Sequence, residues 1–240
     1  MQLNKDDLRN VVLHLPKDVR KVLTSRPGKV FVGGGFIRAV VGREDISDID
    51  MFGNDAATLG IIAAKLQNDR GEDKTRLHTT KNAITLLSEN RLPIQLITRW
   101  LFQSQEDLIC SFDFSVCAAA VFYKDGQWQS QVSPDFYSDL AAKRLRHTNP
   151  QREEEAGGSM LRVLKYVKRG YSISPESLAE VMARVHIAAE DIKQNVTVDA
   201  NGKIMSIGDI TKKLLREVDP LMVVDGLDVQ DDHDMPDVEF

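Results

Sequence analysis

Two aspartates one residue apart are the residues of this chain whose type and spacing point most directly to chemistry. Asp48 and Asp50 lie in "SDIDMF", a segment typical of a strand. Residues i and i+2 of a strand point to the same side, so the two carboxylates should lie about 6–7 Å apart, with Ile49 and Met51 facing the core. Such a pair repels itself unless a cation lies between the acids, and carboxylate oxygens suit Mg²⁺ or Mn²⁺. The spacing therefore predicts a divalent-metal site.

A glycine-rich turn precedes these acids in "KVFVGGGFIRAVVG". The turn stands between a predicted strand and a short predicted helix, where glycine allows close approach of a ligand and the helix N-terminus favours phosphate. Arg38, one turn into that helix, could reach the same anion. Taken separately, the glycines could form only a tight turn and Asp48 could cap a loop. Their occurrence in this order favours a site for a nucleoside triphosphate and a metal.

The amino-acid composition indicates the broad class of protein. The chain has 240 residues, of which 42% are hydrophobic and 28% charged, with a net charge of −5. These values indicate a globular protein, and residues 225–240 form an acidic tail that we expect to be disordered. The rest is nearly neutral, so contact with nucleic acid would require a local basic patch. Two cysteines without a disulfide framework, no signal pattern and no long apolar run predict a cytoplasmic protein without a membrane partner.

The predicted secondary-structure elements that must position the site divide the chain into an α+β domain and helical segments. Residues 27–147 mix strand and helix patterns and predict an α+β head domain, with hairpins turning at residues 88–91 and 125–126. Residues 1–26 predict a helical segment and residues 148–224 a small helical region, and from Asp135 onward no further strand of comparable strength is predicted. We expect the head and the helical region to join without a clear break.

The motifs resemble a known family. "GGFIRAVVG" followed by "SDIDMF" is similar to the head-domain signature of polymerase-β-type nucleotidyltransferases, specifically bacterial tRNA CCA-adding enzymes and poly(A) polymerases. Three later segments resemble family elements in the same order: "FDFSVCAAAVFYKDGQW", "SDLAAKRLRHTNP" and the neck helix "MLRVLKYVKRGYSI". The resemblance implies a mixed sheet with flanking helices, followed by a helical neck-like region.

Metal-dependent transfer of NMP from an NTP to a hydroxyl is the activity that the resemblance implies. Asp48 and Asp50 would be the catalytic metal ligands, with Mg²⁺ or Mn²⁺ as cofactor. Asp113 matches an aspartate that contacts the ribose, although it could instead cap a helix–strand junction, and the basic neck residues could simply be solvated. The implied nucleotide contacts are Gly34, Gly35, Arg38, Asp113, Arg162 and Lys165.

Departures from the family pattern limit the function. Ala39 replaces an aspartate, and Gln95 occupies the third ligand position, where an amide oxygen binds metal more weakly than a carboxylate. The base-reading run is "EAGGS", residues 155–159, without its Asp and Arg, which argues against ordered C-C-A addition.

Two hypotheses follow from the retained and the lost residues. The first is an active nucleotidyltransferase with an RNA or tRNA 3′ end as favoured acceptor, or a protein or small-molecule acceptor in a toxin-type or defence-related enzyme. The second is a pseudoenzyme that binds a nucleotide without turnover. Retention of Asp48 and Asp50 favours the first, and Gln95 and Ala39 favour the second.

Overall fold

The computed structural model describes residues 1–150, 156–195 and 205–216. Within them the helices are α1 (Lys5–His14), α2 (Lys17–Ser25), α3 (Gly35–Gly42), α4 (Ala56–Arg70), α5 (Gln105–Cys110), α6 (Phe136–Ala141), α7 (Ala156–Lys168), α8 (Pro175–Asn195) and α9 (Ile207–Arg216). The strands are β1 (Val30–Gly33), β2 (Ile49–Gly53), β3 (Thr75–Thr79), β4 (Ala83–Ser88), β5 (Ile94–Ile97), β6 (Ala119–Lys124), β7 (Gln127–Val132), β8 (Arg144–Leu145) and β9 (Ser172–Ile173). The acidic tail lies outside the described residues.

Seven strands form one mixed sheet in the order β3-β4-β5-β2-β1-β6-β7. All neighbours are antiparallel except β2 and β5, which run parallel. With its flanking helices, the sheet confirms the predicted α+β class. The central position of β2 places its side chains between those of β5 and β1, and so fixes the neighbours of the aspartates.

Alternation along the central strands separates two packing faces. Val32, Ile49 and Met51 belong to the main core, which also includes apolar residues from α1 to α4 and from α7. Phe31 and Phe52 point to the opposite face and pack in a second cluster with residues of α5 and β6. The expectation that Ile49 and Met51 face the core is confirmed, since both are fully buried.

Local chemistry explains the predicted turns and helix starts. Asp125 and Gly126 both have positive φ (52° and 77°), which is the conformation of a two-residue hairpin turn between β6 and β7. The other predicted hairpin is formed by β4 and β5. Ser104 caps α5 by accepting a hydrogen bond from the Asp107 backbone N–H at 3.1 Å.

The structure differs from the sequence expectation at two places. Strand β3 pairs with β4 at the edge of the sheet, although its sequence was not predicted as a strand. The prediction of no comparable strand after Asp135 overlooked β8 and β9, which form a parallel pair of two residues each. Both depend on partners distant in sequence, and short strands form only where such a partner is present.

Helices α7, α8 and α9 form the helical region, and each contacts the other two. Val163 and Tyr166 of α7 and Val181 of α8 join the main core of the head. Among the described residues, no helix is long and apolar enough to cross a membrane.

Candidate active site

Asp48 and Asp50 lie at the start of β2 on the sheet face opposite α3 and α4. Asp48 directly precedes β2, and Asp50 pairs in register with Gly33 of β1 and Gln95 of β5. Both aspartates are partly exposed. The two predicted metal-binding carboxylates and the predicted third ligand position therefore share one face.

The carboxylate of Asp48 accepts two side-chain hydrogen bonds. Ser47 Oγ donates to Oδ1 at 2.6 Å, and Gln95 Nε2 donates to Oδ2 at 3.2 Å. A carboxylate can only accept, so the amide of Gln95 must turn its nitrogen toward Asp48. In this arrangement Gln95 orients Asp48, and its own oxygen points elsewhere.

Gly34 forms the turn between β1 and α3 beside Asp50. Its backbone has φ 76° and ψ −138°, a conformation that side chains with a Cβ rarely adopt. A Cβ at this position would lie 3.2 Å from Phe112 Cε1 and 3.7 Å from Asp50 Oδ2. The turn thus brings backbone against a carboxylate and an aromatic wall, whereas Gly35 opens α3 with nothing within 4 Å of an added Cβ.

Arg38 lies one turn into α3, as expected, but its side chain is buried. The residue is only 1% exposed, and its guanidinium pairs with Glu44 and stacks 5.1 Å from the ring centre of Tyr166. Tyr171 Oη donates to Glu44 at 2.8 Å and completes the cluster. Glu44 and the aromatic rings of the helical region hold the charge of Arg38 in the core, and its phosphate contact stays a prediction.

Lys165 of α7 is close enough to the aspartate pair to respond to it. Burial lowers the pKa of Lys165 to about 8; Asp48 opposes this shift, Arg169 adds to it and Asp50 opposes it. The ε-amine is therefore a predominantly protonated cation at pH 7 within the electrostatic field of both carboxylates. The structure brings together Asp48, Asp50, Gln95, Gly34 and Lys165.

Asp113 and Arg162, both predicted to contact nucleotide, pair with each other. The Asp113 carboxylate is buried, accepts a hydrogen bond from Ser159 Oγ at 3.0 Å and forms an ion pair with Arg162. Arg162 and Ser159 belong to α7. Asp113 thus connects the head to the helical region, and this role differs from the helix cap considered as the alternative.

The donor set is compatible with a divalent cation. Two carboxylates and one amide on a single sheet face supply hard oxygen atoms, and Mg²⁺ commonly completes its shell with substrate phosphates and water. Within the described ranges, no group of three or more His, Cys, Asp or Glu is placed to hold a metal. The site would depend on the aspartate pair, with Gln95 as a neutral third donor.

Several residues of the site had no signal in the sequence. Ser47 and Phe112 act through contacts with Asp48 and Gly34, and Glu44 acts through Arg38. Ser47 could have been noted as a neighbour of Asp48. The roles of Glu44 and Phe112 depend on tertiary contacts and leave no periodic pattern.

The fold is that of CCA-adding nucleotidyltransferases. A CCA-adding enzyme solved with CTP aligns with a TM-score of 0.56 and 15% identity over 93% of this chain and 52% of its own. The Thermotoga maritima CCA-adding enzyme complexed with tRNA aligns with a TM-score of 0.52 and 14% identity, over 88% of this chain and 53% of its own. At these identities the similarity establishes the fold alone.

The sequence itself identifies a different family. Residues 2–143 match the model of the Gabija anti-defense 2 family, and the chain belongs to that family. A curated relative, "Gabija anti-defense 2" of Bacillus phage SPbetaL7, is 26% identical over 155 residues, which are 64% of this chain and 37% of the relative. The chain therefore spans little more than a third of that relative's length.

Proposed function

We propose that the protein is a divalent-metal-dependent nucleotidyltransferase that moves NMP from an NTP to an acceptor hydroxyl. The observation that supports this best is the meeting of Asp48, Asp50 and Gln95 on one sheet face beside the Gly34 turn. A fold shared with CCA-adding enzymes is consistent with the same reaction class.

Asp48 and Asp50 would hold Mg²⁺ or Mn²⁺, with Gln95 in the third position. The cation, when bound, neutralises phosphate charge and favours the deprotonated acceptor hydroxyl. Ser47 orients Asp48, and the buried Ile49 and Met51 anchor the strand that carries both acids.

The phosphates of the NTP would lie against the glycine turn. The Gly34 N–H already donates to the Ala119 carbonyl at 3.0 Å, so the backbone N–H groups from Gly35 onward and the positive end of the α3 dipole would meet the phosphates. Lys165, protonated below a pKa of about 8, adds a positive charge within the electrostatic field of the aspartates. Arg162 would act indirectly, since its ion pair fixes Asp113.

Transfer forms a bond between the acceptor oxygen and the α-phosphorus, and it breaks the bond from that phosphorus to the bridging oxygen. Pyrophosphate leaves with the bond electrons, and the hydroxyl loses its proton to solvent or to the pyrophosphate.

An RNA 3′ end is the favoured acceptor, without ordered addition of C-C-A. Ser159 stands in the run that reads the incoming base in CCA-adding enzymes, and its hydroxyl is already engaged by Asp113. A neutral, occupied group cannot distinguish C from A as a free Asp and Arg pair does. Ala156 stands where the family run has its Asp, and Ser159 stands where it has its Arg.

Membership of the Gabija anti-defense 2 family supports a defence-related setting for the transfer. In this setting the acceptor is an RNA, a protein or a small molecule of the host defence.

The second candidate function is nucleotide binding without turnover, and the hydrogen bond between Gln95 and Asp48 favours it. The amide at position 95 donates to Asp48 without any metal, whereas a carboxylate there would repel Asp48 unless a metal were bound.

The test is nucleotidyl transfer by the purified chain. Wild type, Asp48→Asn with Asp50→Asn, and the exposed control Asp45→Asn are incubated with each α-labelled NTP, Mg²⁺ and total RNA. We expect label on RNA with wild type and Asp45→Asn, and none with the double variant. Metal-dependent NTP binding without label on RNA, protein or small molecules would favour the pseudoenzyme, and ordered C-C-A ends would contradict our interpretation of "EAGGS".

The cellular role is tested with the same variants. In bacteria that carry the Gabija system, expression of the wild-type chain should restore plating of a phage that Gabija restricts. Asp48→Asn with Asp50→Asn should abolish the effect if transfer is required, while Asp45→Asn should retain it. Equal phage plating with all three proteins would show that the anti-defense effect does not require nucleotidyl transfer.

A further inference from the structure

Thr85 shares a row of the sheet with the candidate metal ligands. Gln95 of β5 is in register with Asp50 of β2 on one side and with Thr85 of β4 on the other. Side chains directly opposite each other on neighbouring strands point to the same face, with Cβ atoms about 4.5–5.5 Å apart. The row therefore reads Asp50, Gln95, Thr85 across three strands.

The hydroxyl of Thr85 is unusual for its position. The residue is fully buried, and Oγ1 has no hydrogen-bond partner within the part of the chain that the structure describes. A buried hydroxyl without a partner lowers stability, and valine would fill the same space without that cost. A polar atom at such a place calls for a partner that is absent from this arrangement of the site.

By register Thr85 has two polar neighbours, His78 of β3 and Gln95 of β5, and the amide of Gln95 is the one that also adjoins the aspartates. Its nitrogen now donates to Asp48 Oδ2 at 3.2 Å. To bind a cation held by Asp48 and Asp50, Gln95 must direct its oxygen toward them. The same rotation turns the nitrogen toward β4, where Thr85 Oγ1 has a free lone pair to accept a hydrogen bond.

We propose that Thr85 is a positioning residue, which accepts a hydrogen bond from Gln95 Nε2 and holds Gln95 Oε1 toward the cation. Thr85 touches neither substrate nor metal and acts through Gln95. The inference rests on the proposed function, since it requires a divalent cation at the aspartate pair. It explains why an amide suffices at the third position: an oriented neutral ligand binds better than one free to rotate.

Binding of Mn²⁺, measured by electron paramagnetic resonance of the free ion, tests this without catalysis. The nucleotide-free full chain is compared with Thr85→Val, Thr85→Ser, Gln95→Leu, and Thr85→Val combined with Gln95→Leu. We expect Thr85→Val to weaken Mn²⁺ binding about 10- to 100-fold, the usual effect of losing a partner of a metal ligand. Thr85→Ser keeps the hydroxyl and should bind Mn²⁺ as wild type does. Thr85→Val should have no further effect on Mn²⁺ binding when Gln95 is already leucine.

The outcomes separate the inference from the function on which it rests. If wild type binds Mn²⁺, and Asp48→Asn with Asp50→Asn does not, unchanged affinity in Thr85→Val overturns the positioning role alone. An equal loss from Thr85→Val in the wild-type and Gln95→Leu backgrounds also overturns it, because the hydroxyl would then act independently of the amide. If wild type and the double aspartate variant bind Mn²⁺ equally poorly, the proposed metal site fails and the inference with it. Thermal unfolding of Thr85→Val, expected at or above the wild-type temperature, checks that the core remains intact.

Discussion

At the scale of single residues, the partners of a charged side chain, more than its type, determine whether it can contact a ligand. Arg38 and Lys165 are both cations near the glycine turn, but Arg38 is committed to Glu44 and Lys165 remains near the aspartate pair. Asp113, another acid of the head, forms an ion pair with Arg162 of α7. Partnering therefore determines which charged groups can meet a ligand.

The first prediction concerns the pKa of Lys165. A ¹³C NMR titration of its Cε resonance should give an apparent pKa of about 8 instead of the ordinary 10.5. Asp50→Asn should lower it further because that carboxylate raises the pKa, and Arg169→Leu should raise it. Since the unfolded chain binds the proton more tightly, this group favours folding increasingly as pH rises from about 8 to 10.5. An apparent pKa near 10.5 would contradict the burial of the amine.

The second prediction concerns Asp113. Asp113→Ala removes the carboxylate that Arg162 and Ser159 contact, and we expect a loss of about 1–3 kcal/mol in the free energy of unfolding, measured with urea. In a double-mutant cycle with Arg162→Leu, the second substitution should cost much less once the first is made. A ribose contact predicts a different result, in which Asp113→Ala weakens ribonucleotide binding and spares the deoxynucleotide. Equal losses for both sugars would support the ion pair.

At the scale of elements, the site depends on how strands and helices approach one another. Parallel pairing of β2 with β5 puts Gln95 next to Asp50, and α7 brings Lys165 close enough to interact electrostatically with Asp48 and Asp50. The start of α7 is held against α9 by a backbone contact, because a Cβ on Gly157 would lie 2.4 Å from the Leu214 carbonyl oxygen. This contact links the helix that carries Lys165 to the last described helix.

The third prediction uses two helical glycines as a matched pair. Gly157→Ala must push α9 away from α7, and we expect a loss of roughly 1–3 kcal/mol in the free energy of unfolding. Gly60→Ala lies inside α4 with its nearest neighbour, Ile84 Cδ1, 4.0 Å from the added Cβ. That change should stabilise the protein by about 0.5–1 kcal/mol, since alanine loses less backbone entropy than glycine.

Hydrogen exchange locates the effect of Gly157→Ala. Amides near the buried Ile210 of α9 should exchange faster than in wild type, while those of β2 should be unchanged. Unaltered protection of α9 would show that α7 and α9 do not meet at Gly157.

At the scale of the whole molecule, buried polar clusters hold the sheet and the helical region together. Asp139 of α6 is fully buried and accepts hydrogen bonds from Ser115 Oγ at 2.6 Å, Arg144 Nε at 2.8 Å and Arg146 Nε at 2.9 Å. Strand β8, which contains Arg144, pairs with β9 directly after α7. The segment "SDLAAKRLRH" thus contains both the acid and the arginines of one structural cluster.

The fourth prediction is the acid sensitivity of this cluster. Burial by itself raises the pKa of Asp139, but hydrogen bonds from Arg146, Ser115 and Arg144 outweigh it and lower the pKa below 3.8. The stabilisation is therefore present above pH 4 and is lost as pH falls through the lower folded-state value. Asp139→Asn should be less stable than wild type at pH 7, by about 1–3 kcal/mol, and should lose less stability between pH 4 and pH 2.

Asp135→Asn is the control for this experiment, because the side chain of Asp135 is 47% exposed and lies 3.6 Å from Arg146. It should leave the acid dependence of chemical unfolding almost unchanged. Parallel acid curves for wild type and Asp139→Asn would contradict the lowered pKa.

Much of the fold follows from local patterns in the sequence. Alternation in "SDIDMF" gave the faces of Asp50, Ile49 and Met51, and turn residues gave both hairpins, because these features depend on backbone geometry within a few residues. The short strands β3, β8 and β9 were not predicted, since they exist only through pairing with a partner strand. Element type is local, while sheet order and pairing are not.

The sequence by itself determined the family motifs, the aspartate pair on one strand face and the glycine turn before α3. The tertiary structure decided which charged residues remain near that pair. Glu44 and Tyr171 hold Arg38 in the core, Arg162 engages Asp113, and Thr85 keeps a buried hydroxyl beside Gln95. The physical reason is that periodicity fixes the side to which a residue points, whereas burial, ion pairing and hydrogen bonding depend on groups brought close only by the folded chain.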